Sequence, residues 1–181
     1  MVNALVSGKR ERRNQLGFTL AEFIVAIAVS ALIVVGSLVL LRYMIAVAAD
    51  NRDKTMATLQ VQYVGFWISE DVVQAQTIEL GDSNGFPLII TWTEWDGDVN
   101  EVTYTVDTEK RELERGHKVN GESYGTSVVS EYLDPGATEC SRRNLDDVLV
   151  DALVLEVTAT VDRSEASSTY EIHPRAFVVW E

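Results

Sequence analysis

The chain has 181 residues, a formal net charge of −13 and one cysteine, Cys140. That length supports one modest soluble domain beside an anchor, and a lone cysteine excludes an internal disulfide. The acidity argues against a surface that grips DNA or anionic lipid headgroups through charge, and fits a solvated, self-repelling exterior.

The chain opens on a basic stretch, Lys9, Arg10, Arg12 and Arg13, interrupted by Glu11. An apolar run follows, and from Phe23 to Leu41 it carries no charge. As a helix this run spans about 28 Å, close to the roughly 30 Å hydrocarbon core of a bilayer. The basic stretch is expected to stay cytoplasmic, which puts the C-terminal part across the inner membrane. Two residues mark the junction. Gly17 ends the basic leader, and Glu22 sits five residues later at the head of the apolar helix. A carboxylate at full bilayer depth costs about 2–3 kcal/mol, so Glu22 calls for water or a positive partner.

Gly17-Phe18-Thr19-Leu20-Ala21-Glu22 followed by an apolar helix resembles the N-terminus of type IV prepilins and type II secretion pseudopilins. In that family a membrane peptidase cuts after the glycine and the new N-terminal residue is methylated. The resemblance implies a cleaved leader over residues 1–17, cleavage between Gly17 and Phe18, and N-methylation of Phe18. It also gives Glu22 an assembly role, pairing with the N-terminal amine of a neighbouring subunit. Elementary electrostatics makes sense of such a pair: a fresh amine and a carboxylate one turn deep are each costly alone in lipid and tolerable together. The helix macrodipole also favours an acid near its own N-terminus. Removing the leader takes away four basic residues and one acidic, leaving a mature chain at −16. The plainer alternative is an uncleaved anchor on which Glu22 merely reaches the interface.

Residues 18–42 are expected to form the transmembrane, filament-core half of a long helix, and residues 43–80 its amphipathic half. No proline falls between Phe18 and Ile78. Past Tyr43, Met56, Leu59, Tyr63, Phe66 and Val73, with Trp67 beside them, recur at helical spacing and predict a buried stripe. Asp50, Arg52, Asp53, Lys54, Gln60, Gln62 and Asp71 are assigned to the polar side.

Residues 81–181 read as an antiparallel β domain. Gly81-Asp82-Ser83-Asn84-Gly85 is a turn-rich break. A strand is expected from Leu88 to Trp95, then a hairpin turn at Asp96-Gly97-Asp98, a strand from Val99 to Val106, and a short one at Glu112 to Arg115. Residues 116–147 read as an irregular, partner-facing loop, with at most a short strand at Val128 and Val129. Val148 to Val161 forms a strand, Asp162 to Ser168 a polar turn, and Tyr170 to Trp180 the last strand, bulged or placed at an edge by Pro174. If Trp92 points inward, Trp95 points outward. Trp67 and Trp92 are expected in the helix–sheet core, and Trp180 is expected to pin the C-terminal strand. The whole is an α+β architecture that again resembles the pilin fold, and the later residues loosely resemble the J-type pseudopilins and W-type minor pilins.

No constellation points to an enzyme. His117 and His173 lie in no ligand-spaced cluster, and nucleophile elbow, phosphate-binding glycine loop and paired-cysteine motif are all missing. Cys140, near Arg142 and Arg143, reads as a loop residue. No cofactor is expected; Asp96-Gly97-Asp98 and Asp82-Ser83-Asn84-Gly85 could donate oxygens to calcium, but turn chemistry explains both. The expected function is that of a structural subunit, a minor pilin or pseudopilin of a type IV pilus or type II secretion pseudopilus. Its partners would be sister subunits, the prepilin peptidase and methyltransferase, and the inner-membrane assembly platform, with no direct nucleic-acid binding. The alternative is a permanently anchored extracytoplasmic binding protein.

Overall fold

A computed structural model describes residues 19–143, 151–175 and 178–180. The chain divides into two compact units, Met1–Ala46 and Val47–Glu181. A single helix, α1 (Leu20–Gln74), contributes to both. The fold is α+β and pilin-like, one long N-terminal helix with antiparallel-rich β-sheets.

In the first unit every described residue is exposed, Phe23, Leu32 and Leu40 among them. This is the one helix among the described residues long and apolar enough to cross a membrane. Exposed apolar area on this scale is unfavourable in water by about 25 cal/mol per Å², so it calls for lipid or for neighbouring helices.

In the second unit α1 packs through Ala57, Val61, Val64, Gly65, Ile68, Asp71 and Val72. These positions recur three or four apart, with Val64–Gly65 and Asp71–Val72 as adjacent pairs, as one helix face requires. It is not the stripe expected from the sequence. Met56, Leu59, Tyr63 and Phe66 are exposed, and only Val73 of that set packs against the core. Apolar residues occur all round this segment, so size alone does not mark the buried face. Close approach of the helix to the sheet instead selects small side chains. Gly65 shows why: a Cβ there would lie 2.3 Å from Cζ of Tyr170.

The helix ends at Gln74, short of the expected residue 80. The backbone leaves the helix because Gln76 N–H bonds to Thr91 O at 2.8 Å and the chain then pairs as β1 (Thr77–Gly81). Five strands follow one another as an antiparallel meander. The expected three, β2 (Gly85–Thr93), β3 (Val99–Asp107) and β4 (Glu112–Val119), are flanked by β1, which was not expected, and β5 (Glu122–Ser130), expected only at Val128 and Val129. The break at Gly81–Gly85 is the β1–β2 hairpin. At Gly85, φ is +79° and a Cβ would meet Cys140 O at 2.1 Å, so only glycine lets the two backbones approach. The turn around Gly97 is closed by Glu94 N–H to Asp98 O at 2.9 Å.

Three strands form a second, smaller sheet in the order β6–β7–β8: β6 (Glu139–Arg143), β7 (Ala152–Val161) and β8 (Ser164–Ile172). The last strand, β9 (Val179–Trp180), returns to the larger sheet and pairs parallel with β1. The irregular loop expected over 116–147 is therefore overturned across most of its length: β4 continues to Val119, and β5 and β6 are regular strands. Residues 144–150 lie outside the described residues. The expected polar turn at Asp162 to Ser168 also narrows, since β8 begins at Ser164. These strands carry Ser, Thr and Gly where apolar alternation would have marked them. Pro174 falls beyond the end of β8 and bulges no strand.

The core gathers Ile68, Val72, Ile78, Leu88, Ile90, Val102, Tyr104, Leu113, Leu153 and Leu155 from helix and both sheets. Trp92 is buried and Trp95 is exposed, but not through alternation along one strand: β2 ends at Thr93 and Trp95 stands in the turn beyond it. Trp67 is not core: it is 40% exposed, with the Arg115 guanidinium 5.3 Å from its ring centroid. Trp180 packs against the core and lies under Arg142, which suits its expected role at the C-terminal strand. Arg111 joins the sheets, donating Nε to Leu133 O at 2.9 Å and Nη2 to Thr160 O at 3.3 Å.

Candidate functional site at the head of the apolar helix

Helix α1 starts where the sequence offers a capping box, Thr19-Leu20-Ala21-Glu22. The Thr19 carbonyl accepts the first helical bond, from Phe23 N–H at 3.2 Å. Thr19 N–H donates to Glu22 Oε2 at 2.9 Å, and the Thr19 hydroxyl donates to the same oxygen at 3.0 Å. Glu22 N–H in turn donates to Thr19 Oγ1 at 3.3 Å. Two helix-end donors that would otherwise be orphaned are satisfied reciprocally. Among the described residues nothing bonds to Glu22 Oε1.

One Glu22 oxygen fixes the start of the helix, and the other has no partner among the described residues. Thr19 was missed as a site residue, although the Thr-x-x-Glu spacing that marks it stands in the sequence. Gly17 and Phe18, the expected cleavage and methylation positions, lie outside the described residues.

The other titratable groups are structural. Asp71 was assigned to the polar side of the helix and is buried instead, on the same face as Val64 and Ile68. Arg115 holds it in a two-pronged ion pair, and the Tyr104 hydroxyl donates to Oδ2 at 2.5 Å. Burial, followed by the charge of Asp71, pushes the Tyr104 hydroxyl well above the ordinary phenol range. The hydrogen bond to Asp71 raises Arg115 further still.

Cys140 is not a loop residue. It is buried in β6, where desolvation pushes its thiol up to about 12. His117 lies between the rings of Trp92 and Tyr124, with Nε2 2.9 Å from Asn100 Oδ1. Asp96 and Asp98 are used in turn chemistry: Asp96 Oδ1 accepts Asp98 N–H, and Asp98 Oδ1 accepts Asn120 Nδ2–H at 2.8 Å. Among the described residues no three His, Cys, Asp or Glu side chains cluster as a metal site would need. A groove of about 780 Å³ between α1 and β8 is lined by Gln62, Ser69, Glu70 and Arg175 with the ring of Tyr170, a set without a nucleophile–base pair.

Residues 12–38 match the family model of the prokaryotic N-terminal methylation motif, a span that contains Gly17, Phe18, Thr19 and Glu22. No curated protein and no solved structure matches the chain. The basic stretch, the apolar helix and the matched segment agree: this chain carries a prokaryotic N-terminal methylation motif, as its resemblance to type IV prepilins and pseudopilins implied.

Proposed function

We propose that this chain is a non-enzymatic structural subunit, a minor pilin or pseudopilin, made as an inner-membrane precursor with its basic leader in the cytoplasm and its β unit on the far side. The prepilin peptidase cuts after Gly17 and methylates Phe18. The processed chain is then drawn by the inner-membrane assembly platform into a type IV pilus or type II secretion pseudopilus. A minor subunit, which primes or caps a filament, is favoured over the major one. The lone Cys140 cannot make the C-terminal disulfide many pilins use, and the helix has no proline.

The observation that carries this reading is Glu22, an acid at the head of a nineteen-residue uncharged run whose carboxylate is already half engaged by Thr19. The carboxylate is oriented at no further cost when an amine arrives. Extraction from lipid is feasible because a bundle of neighbouring helices covers the same apolar surface that lipid covered.

The direct test is Glu22→Ala. Membrane insertion should be unchanged, because the substitution makes the run more apolar. Incorporation into sheared filaments, read by immunoblot against the membrane fraction, should fall at least tenfold. Incorporation equal to the parent chain would remove Glu22 from assembly.

A further inference from the structure

Among the described residues the larger sheet ends in β5 and β9, and the smaller in β6 and β8. Exposed edges template unwanted pairing, and natural proteins blunt them with charge, proline or brevity. Three of the four follow that rule. β6 carries Glu139, Arg142 and Arg143; β8 carries Glu165 and Glu171; β9 is two residues long.

β5 does not follow it. It is nine residues long, has no proline, and from Ser123 to Ser130 has no charge in a chain of net charge −13. Its first seven positions are all exposed. Register irregularities fall near its two ends, which leaves Gly125 to Val128 in continuous pairing with His117 to Glu114. The outer backbone groups of that stretch are held in strand geometry by β4.

The far end of β5 is tied to α1. Glu131 N–H donates to Gln60 Oε1 at 2.8 Å, and the Ser130 hydroxyl to Gln60 O. Gln60 lies in the middle of a second charge-free stretch, Thr55 to Ser69, whose Met56, Leu59 and Tyr63 are exposed. The open edge and this helix segment are thus neutral and adjoining within an otherwise acidic unit.

We propose that β5 is an assembly edge: it takes up an extended, uncharged segment of a neighbouring filament subunit by strand addition. An edge of this kind selects its partner by chemistry. Main-chain donors and acceptors admit only a β-strand, and the absence of charge lets another acidic subunit approach where the rest of the surface repels it. The inference rests on the filament reading above and names the contact that reading leaves open.

The test uses the full chain in its host cells, with a photoreactive phenylalanine derivative in place of Ser127 and, separately, in place of Glu165 on β8. Adducts should form from position 127, with subunits bearing their own N-terminal methylation motif, and not from position 165. Val128→Lys places a charge on the edge at a position already 51% exposed; it should leave the melting temperature unchanged and lower the adduct at least tenfold. Filaments that incorporate the chain in a Glu22-dependent manner, yet yield no adduct at position 127 or equal adducts at both positions, would overturn the edge and leave the filament reading standing. A chain whose incorporation is independent of Glu22, or which never enters filaments, would overturn both.

Discussion

Arg115 reaches across from β4 to grip Asp71 on the helix, with Nε 2.8 Å from one carboxylate oxygen and Nη2 2.9 Å from the other. Asp71 is 3% exposed, and Tyr104 supplies a third bond. A buried ion pair of this kind is costly to break from one side, because the survivor is left charged and unsolvated. Arg115→Met should therefore destabilise the β unit by about 3–5 kcal/mol. Replacing the whole group, as Asp71→Leu with Tyr104→Phe and Arg115→Met, should recover most of that loss. Denaturant melts of the detergent-solubilised chain measure both; a triple variant as unstable as the single one would show that the pair's net contribution, not its disruption, sets the cost.

Two buried groups, Tyr104 of this network and Cys140 in β6, govern how stability responds to alkali. Tyr104 is held above its ordinary value of 10.0, and Cys140 is raised from 9.0 to about 12. Both groups are neutral in the fold and lose protons more readily when unfolded. Their contribution is complete below pH 9 and is lost progressively as pH rises through the folded values. Melting temperature should fall from about pH 9 upward, and Tyr104→Phe should flatten the slope above about pH 10. Equal slopes for parent and variant would contradict this.

Burial also makes Cys140 inert. At pH 8 a thiol-specific reagent should leave the folded chain unlabelled and label it fully in denaturant. Rapid labelling under native conditions would mean that β6 opens readily.

Gly65 permits the closest helix–sheet approach. Gly65→Ala puts a methyl group against the Tyr170 ring, which also donates its hydroxyl to Val61 O at 3.3 Å. The expected loss is about 1–3 kcal/mol, and it should shrink when Tyr170 is cut back to Ala in the same chain. Strict additivity of the two losses would place the strain elsewhere.

At the helix start, Thr19→Ala removes the side-chain half of the capping box. The first turn should weaken by about 1 kcal/mol, seen as faster amide exchange at Glu22 and Phe23. Thr19→Ser should restore protection, since the hydroxyl is what accepts and donates.

Legibility followed the strength of the local signal. The N-terminal segment reads from sequence because charge, glycine, acid and a long uncharged run are separate signals that coincide. The meander from β2 to β3 reads because Val102 and Tyr104 alternate with polar neighbours and Gly97 supplies the turn. β5 and β8 read only at their apolar ends, Val128–Val129 and Tyr170–Ile172, because the Ser, Thr and Gly elsewhere carry no period-two signal when both faces are polar. The helix face was misjudged for a related reason. Size was used to choose among apolar residues, whereas Val61, Val64 and Gly65 are buried because they let the helix come close. Asp71 looked polar and solvated; its partner Arg115 lies 44 residues away, a distance over which no local pattern reports.

The central claim is that Glu22 serves an amine that exists only after the leader is removed. Intact-mass measurement of the chain recovered from cells tests it most directly. The expected species begins at Phe18 and carries one added methyl group. A chain that keeps residues 1–17 and is found only in the membrane would contradict it.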